Sequence, residues 1–180
     1  MTKKISISII LFMYCFISEV YCMDVNAVKD SIMAIIKANK GDYAVVFKEL
    51  KGSNSIFINE KEMFHTASTM KTPVMIELFK QIDEGKLSLD DSIIVKNEFK
   101  SIVDSSLYCM DISRDSGESI YEFLDKKTTI EFLTNKMITE SSNLATNILI
   151  DLVGAKNVNN TMYALGAKNM LILRGVEDTK

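Results

Sequence analysis

Proline and glycine are scarce in this chain, one and seven among 180 residues. A sequence so poor in both is neither collagen-like nor a Pro/Gly-rich low-complexity segment. Histidine occurs once and cysteine three times, too few for a disulfide scaffold and a poor basis for a zinc site. No block of like charge is present either. Acidic residues number 24 against 21 basic, a net charge of −3, which argues against a nucleic-acid tail or a phosphate-binding role. What is there is a chain with 47% hydrophobic residues, long enough to bury the core of one domain.

The N-terminus reads as an export signal. Lys3 and Lys4 precede an apolar run from Ile5 to Ile17, and Glu19 and Asp24 bring charge back. That is the order of a secretory signal, and the run is shorter than the roughly 20 residues a helix needs to cross a bilayer. Cleavage after Cys22 makes residues 1–22 the signal peptide and 23–180 the catalytic portion. The expected location is periplasmic or extracellular, with membrane contact only through export. Lipid anchoring at Cys22 is the weaker alternative, because bulky Tyr21 precedes it. Cys15 and Cys22 leave with the signal, so Cys109 remains alone and reads as a small, partly buried hydrophobe.

Along the remaining chain, Val28, Ile32, Ile35 and Ile36 recur at helical spacing within Val25 to Ala38, predicting an amphipathic helix. Asp42 to Leu50 and Ser55 to Ile58 are rich in β-branched and aromatic residues, and Lys51-Gly52-Ser53-Asn54 between them supplies turn chemistry. That pair predicts a β-hairpin. Helical stripes follow over Ser68 to Asp83, closed by Gly85, then over Thr128 to Met137, Asn143 to Val153 and Val158 to Leu165. The segment between Gly85 and Tyr121 has no usable period. An isolated hairpin is marginal at best, so a larger sheet is expected, and no other segment supplies its strands.

Two polar constellations stand out. Ser68 and Lys71 lie three positions apart where the chain enters a helix, which sets them on one face a turn apart. A serine hydroxyl is a poor nucleophile until a neighbouring base takes its proton, and a lysine in a dry cleft can become that base. A helix start also offers free N–H groups to developing negative charge. The plain alternative is an N-cap serine beside a solvent-facing lysine. The second constellation is Ser141-Ser142-Asn143 just ahead of an apolar helix, with Asn147 one turn on. Its hydroxyl and carboxamide can relay a proton and donate to a substrate carbonyl, or simply cap the helix. Pro73 removes the helical donor for the Thr69 carbonyl, predicting an irregular first turn beside Ser68.

Taken together, Phe64-His65-Thr66-Ala67-Ser68-Thr69-Met70-Lys71 and Met137 through Asn147, followed by Leu173-Arg174-Gly175-Val176-Glu177-Asp178, resemble the class A-type serine β-lactamase family, which shares its S-x-x-K and S-D-N motifs with penicillin-binding proteins. The resemblance spans 25–180. It implies an α+β fold of the β-lactamase/transpeptidase type, a helical domain beside an α/β domain with an antiparallel sheet. It implies Ser68 as acylated nucleophile, Lys71 as its proton partner, Ser141 as relay to the leaving nitrogen, Asn143 as substrate-binding contact and Glu177 as the base that aims water at the acyl-enzyme. Glu177 can also be read as a solvated carboxylate near the chain end. A β-lactam is the implied substrate, with peptidoglycan-related peptides second. The protein would act as a monomer without metal or organic cofactor, and without a nucleic-acid partner. A D,D-peptidase or esterase on the same fold, and a truncated non-catalytic chain, are the alternatives.

Two departures qualify the resemblance. Ser142 stands where the family has aspartate, which bears on the rigidity of that loop. No K-T-G motif follows, so the domain is expected to lack the family's C-terminal strands and helix, including the strand that supplies a second oxyanion donor. His65 is expected at a strand end, pointing away from the helix, since no aspartate is placed to orient it.

Overall fold

The computed structural model describes residues 24–172 and 175–178. Residues 1–22, expected as a signal peptide, with Cys15 and Cys22, and Leu173-Arg174 of the third quoted motif lie outside these described residues. The chain divides into two compact units, one ending at Phe64 and one beginning at His65.

The first unit holds helix α1, Val25–Ala38, and the hairpin of strands β1, Val45–Lys48, and β2, Ser55–Ile58. The helix matches its expected bounds because Asp24 caps it, accepting from the amides of Asn26 and Ala27, and satisfies donors that have no partner inside the helix. The hairpin is antiparallel, pairing Val45 with Ile58 and Lys48 with Ser55. Alternation along β2 buries Ile56 and Ile58 and exposes Phe57, the period-two pattern of a half-buried strand. The expected first strand was too long: Asp42 to Ala44 are irregular and pairing stops at Lys48.

The second unit is built around an apolar helix. In chain order it contains a 3-10 turn over Ala67–Met70, helix α2 at Lys71–Asp83, strands β3 at Ser92–Ile94, β4 at Phe99–Lys100 and β5 at Leu107–Tyr108. Two more 3-10 turns, Ile112–Arg114 and Glu118–Phe123, lead to β6 at Lys127–Thr129 and then to helices α3, Ile130–Thr139, α4, Asn143–Val153, and α5, Ala155–Ala164. Helix α4 buries residues all round, from Leu144 through Ile150 and again at Val153, as a central core helix must. Val74 and Leu78 of α2, Leu133 and Met137 of α3, and Val158 and Met162 of α5 close over it in one cluster.

The segment without period holds three strands that the sequence reading missed, β3, β4 and β5, and a fourth, β6, lies beyond it where a helical stripe was expected to begin. β3 pairs with β6 and β4 with β5, both antiparallel. At two or three residues each they are too short to display alternation. Helix boundaries also shift: α3 starts at Ile130, where Thr129 caps it by accepting from Phe132 N–H, and α5 starts at Ala155. Gly85 ends α2 as expected, in the left-handed region at φ 71° that favours glycine. Cys109 is exposed, which corrects the expectation of partial burial.

Candidate active site

Every site residue singled out from the sequence lies in the second unit, and the fold gathers them. The chain enters α2 through the 3-10 turn Ala67–Met70, so the first turn beside Ser68 is irregular, as the position of Pro73 predicts. Tighter winding eclipses side chains three positions apart. Ser68 Oγ thereby comes within 3.4 Å of Lys71 Nζ. His65 is not a strand-end residue. Its Nδ1 accepts from the Ala67 N–H at 3.2 Å and supports the turn ahead of Ser68, where Ala67 is held at φ 45°.

Lys71 does not face solvent. It is 3% exposed, and its ammonium donates to the Ser141 carbonyl at 2.6 Å, Ser141 Oγ at 2.9 Å and Asn143 Oδ1 at 3.1 Å. Burial holds its pKa below the ordinary lysine value, and the negative charge of Asp115 partly opposes that shift. Desolvation disfavours the charged form, so a lysine here gives up its proton more readily than one on the surface. Ser141 Oγ in turn donates to Ser68 Oγ at 3.0 Å. Two hydroxyls and one amine therefore form a closed triangle in which a proton can pass from either serine to nitrogen.

Ser141 reaches this position through its backbone. It follows α3 at φ 57°, a left-handed conformation that costs a non-glycine residue on the order of 1–3 kcal/mol. The Ser142 N–H reaches back to the Lys136 carbonyl at 3.1 Å, and Ser142 Oγ caps α4 by accepting from Ala145 N–H. Asn143, the first residue of α4, links the two sides of the site. Its Oδ1 accepts from Lys71, and its Nδ2 donates to Glu177 Oε1 at 3.4 Å. Glu177 is also left-handed, at φ 61°. Strained backbone at Ala67, Ser141 and Glu177 thus surrounds the same cluster.

The segment carrying Glu177 is clamped by Asn147. That buried carboxamide accepts from Val176 N–H at 2.6 Å and donates to the Val176 carbonyl at 3.0 Å, pairing with the peptide unit as a neighbouring strand would. Glu177 is half-buried and joined to the cluster, so it is not simply a solvated carboxylate. Ser68, Lys71, Ser141, Asn143 and Glu177 are all brought together.

The sequence reading missed Asp115. It is 4% exposed and sits against the Ser141–Asn143 turn, accepting from Asn143 N–H at 2.9 Å and Leu144 N–H at 2.8 Å. The turn chemistry of Asp115-Ser116-Gly117 was a faint signal for a local bend. Nothing in sequence spacing joins it to residues 142–144. Among the described residues no group of three or more His, Cys, Asp or Glu is placed to hold a metal ion.

With this geometry in hand, comparison with known proteins is decisive at one level. The profile of the beta-lactamase enzyme family matches residues 27–180. The chain belongs to the beta-lactamase enzyme family. Within it, the chain is similar to Beta-lactamase VEB-1 of Pseudomonas aeruginosa, 25% identical over 122 residues that make up 67% of this chain and 37% of that one. Among solved structures it is similar to a beta-lactamase from Chitinophaga pinensis, 22% identical with a TM-score of 0.66. It is also similar to PBP-A, 24% identical with a TM-score of 0.68. These alignments cover 82% and 83% of this chain but 52% and 53% of those chains. This beta-lactamase-family chain has the fold of those proteins and spans about half their length.

Proposed function

We propose that this protein is a serine hydrolase that opens β-lactam rings through an acyl-enzyme on Ser68. The observation that carries the reading is the triangle of Ser68 Oγ, Ser141 Oγ and the buried Lys71 Nζ, with edges of 3.0, 2.9 and 3.4 Å. Lys71 in its neutral form takes the Ser68 proton as Oγ bonds to the lactam carbonyl carbon. The carbon–nitrogen bond of the ring then breaks, and the leaving nitrogen receives a proton from Ser141 Oγ, which Lys71 replenishes. Asn143 binds the substrate amide. Glu177 takes a proton from the water that attacks the ester, and Ser68 leaves with its hydroxyl restored. Antibiotic resistance would follow from that hydrolysis. The enzyme would work as an exported monomer without a metal or organic cofactor, released by cleavage after Cys22; the mass of the mature N-terminus checks the cleavage.

A fluorescent penicillin and a chromogenic cephalosporin test the reading. The native chain should take up the label and turn over the cephalosporin, and Ser68→Ala should abolish both. Labelling that persists without turnover would instead favour a D,D-peptidase or esterase on the same fold. A native chain that neither labels nor turns over would overturn the acyl-enzyme reading and leave the non-catalytic one.

A further inference from the structure

We infer that Asp115 is the positioning residue of this site, holding the Ser141–Asn143 turn in place and setting the charge balance at Lys71. The inference rests on the acyl-enzyme reading for its consequence in catalysis, but its geometry stands apart from it. Helix α4 begins at Asn143, and the first amides of any helix have no partner inside it. Here all four are accounted for. Ser142 donates to the Lys136 carbonyl and Ala145 to the Ser142 side chain, while Asn143 and Leu144 donate to Oδ1 and Oδ2 of Asp115. The same carboxylate accepts from Gly117 N–H at 2.9 Å, Tyr121 Oη at 3.2 Å and Ser142 Oγ at 3.3 Å. A buried carboxylate with five donors is a rigid anchor.

Two further observations tie this anchor to the turn. Gly117 packs so closely on Ser142 that a Cβ would lie 2.4 Å from Ser142 Cβ and 3.1 Å from its Cα. The Asp115–Gly117 bend can reach the turn only because residue 117 has no side chain. Ser142 itself is fully buried, and its hydroxyl is too short to fix the turn alone. Where a longer carboxylate at 142 could brace the loop from within, this chain supplies the carboxylate from a separate segment. Ser141 and Asn143, the two residues of this turn that contact Lys71, flank the anchored position directly.

The groups hydrogen-bonded to Lys71 are Ser68 from the 3-10 turn and Ser141 and Asn143 from the turn that leads into α4, with Glu177 beyond Asn143, and Asp115 acts on it through its charge. Asp115 is the charged group whose field raises the Lys71 pKa. Removing its charge therefore moves the Lys71 midpoint down and enlarges the neutral fraction at a given pH. Loosening the turn simultaneously displaces Ser141 and Asn143, and misplacement by about 1 Å can lower a rate about 100-fold.

The test uses the full chain. In the Asp115→Asn variant, the Lys71 midpoint read from its ε-carbon chemical shift should fall. The acid limb of the penicillin-labelling rate should move to lower pH, and the plateau should drop about 100-fold. A purely structural role would lower the plateau without moving the limb, so an unmoved midpoint overturns the inference. Hydrogen exchange on the unsubstituted chain decides the matter even where Asp115→Asn does not fold. The Asn143 and Leu144 amides should be as protected as those in the middle of α4, and exchange at the rate of open first-turn amides would overturn it. A native chain that never labels removes the acyl-enzyme reading alone, because the exchange and the Lys71 titration still decide for or against Asp115.

Discussion

Gly175 has no room for a methyl group, since a Cβ there would sit 2.5 Å from Tyr108 Oη and 2.9 Å from Asn147 Oδ1. Asn147 Oδ1 is the atom that accepts from Val176 N–H, so a side chain at 175 pushes directly on the clamp that holds Glu177. Gly175→Ala should leave acylation of Ser68 intact and slow the release of the acyl group. The expected result is undiminished labelling by fluorescent penicillin, a longer-lived label, and cephalosporin turnover lower by about 100-fold. Turnover equal to that of the native chain would dissociate Glu177 from deacylation. At this scale the motif residues were legible because their chemistry fixes both type and spacing, as with Ser68 and Lys71. Asp115 was not, because a carboxylate that serves backbone amides elsewhere in the chain leaves no spacing to read. The burial of Lys71 was equally hidden, since it is imposed by residues 141–143, far along the sequence.

Helices α2 and α5 share a buried polar contact that hydrophobic periodicity does not announce. Glu77 is 1% exposed and accepts from Thr161 Oγ1 and from Gln81 Nε2, with Lys80 beside it at 3.5 Å. Burial pushes the Glu77 pKa up, but the hydrogen bonds from Thr161 and Gln81 and the Lys80 charge together bring it below the usual glutamate value of 4.5. A depressed folded pKa means that the unfolded chain binds more protons. This stabilisation is thus present above about pH 4.5 and lost as pH falls through the lower folded value. Thr161→Val keeps the shape and removes one donor to a buried charge, so it should destabilise by roughly 1.5–3 kcal/mol, read as a lower midpoint in thermal or urea unfolding. The deficit should shrink on acidification, and a deficit that is constant with pH would show that Glu77 is not ionised in the folded state. Helices α1 and α4 were legible from sequence to the residue, whereas α2, α3 and α5 were found with shifted ends. The strands β3 to β6 were not, because pairs of two or three residues are set by what they meet across the fold.

The two units differ in how much they bury. In the second, an apolar cluster of buried side chains runs from Val74 to Ile172 with α4 at its centre. In the first, α1 has no buried residue, β1 has none, and Ile56 and Ile58 of β2 are the buried apolar side chains among its described residues. Ile35 is 65% exposed and Val46 60%. A short helix and a lone hairpin are marginal in water without tertiary packing, so local opening of the first unit should take less free energy than global unfolding. Native-state hydrogen exchange should find the amides of α1 and β1 less protected than those of α3 and α4 by about 100-fold or more. Core substitution should follow the same division. Leu149→Ala in α4, where the side chain is fully buried, should destabilise by about 2–5 kcal/mol, whereas Ile35→Ala should change stability by no more than about 0.5 kcal/mol. Since Ser68, Lys71, Ser141, Asn143 and Glu177 all belong to the second unit, opening of α1 should not accelerate exchange at the Asn143 and Leu144 amides. Equal protection across α1 and α4 would mean instead that both units unfold in one cooperative step, and the division would then have no energetic counterpart.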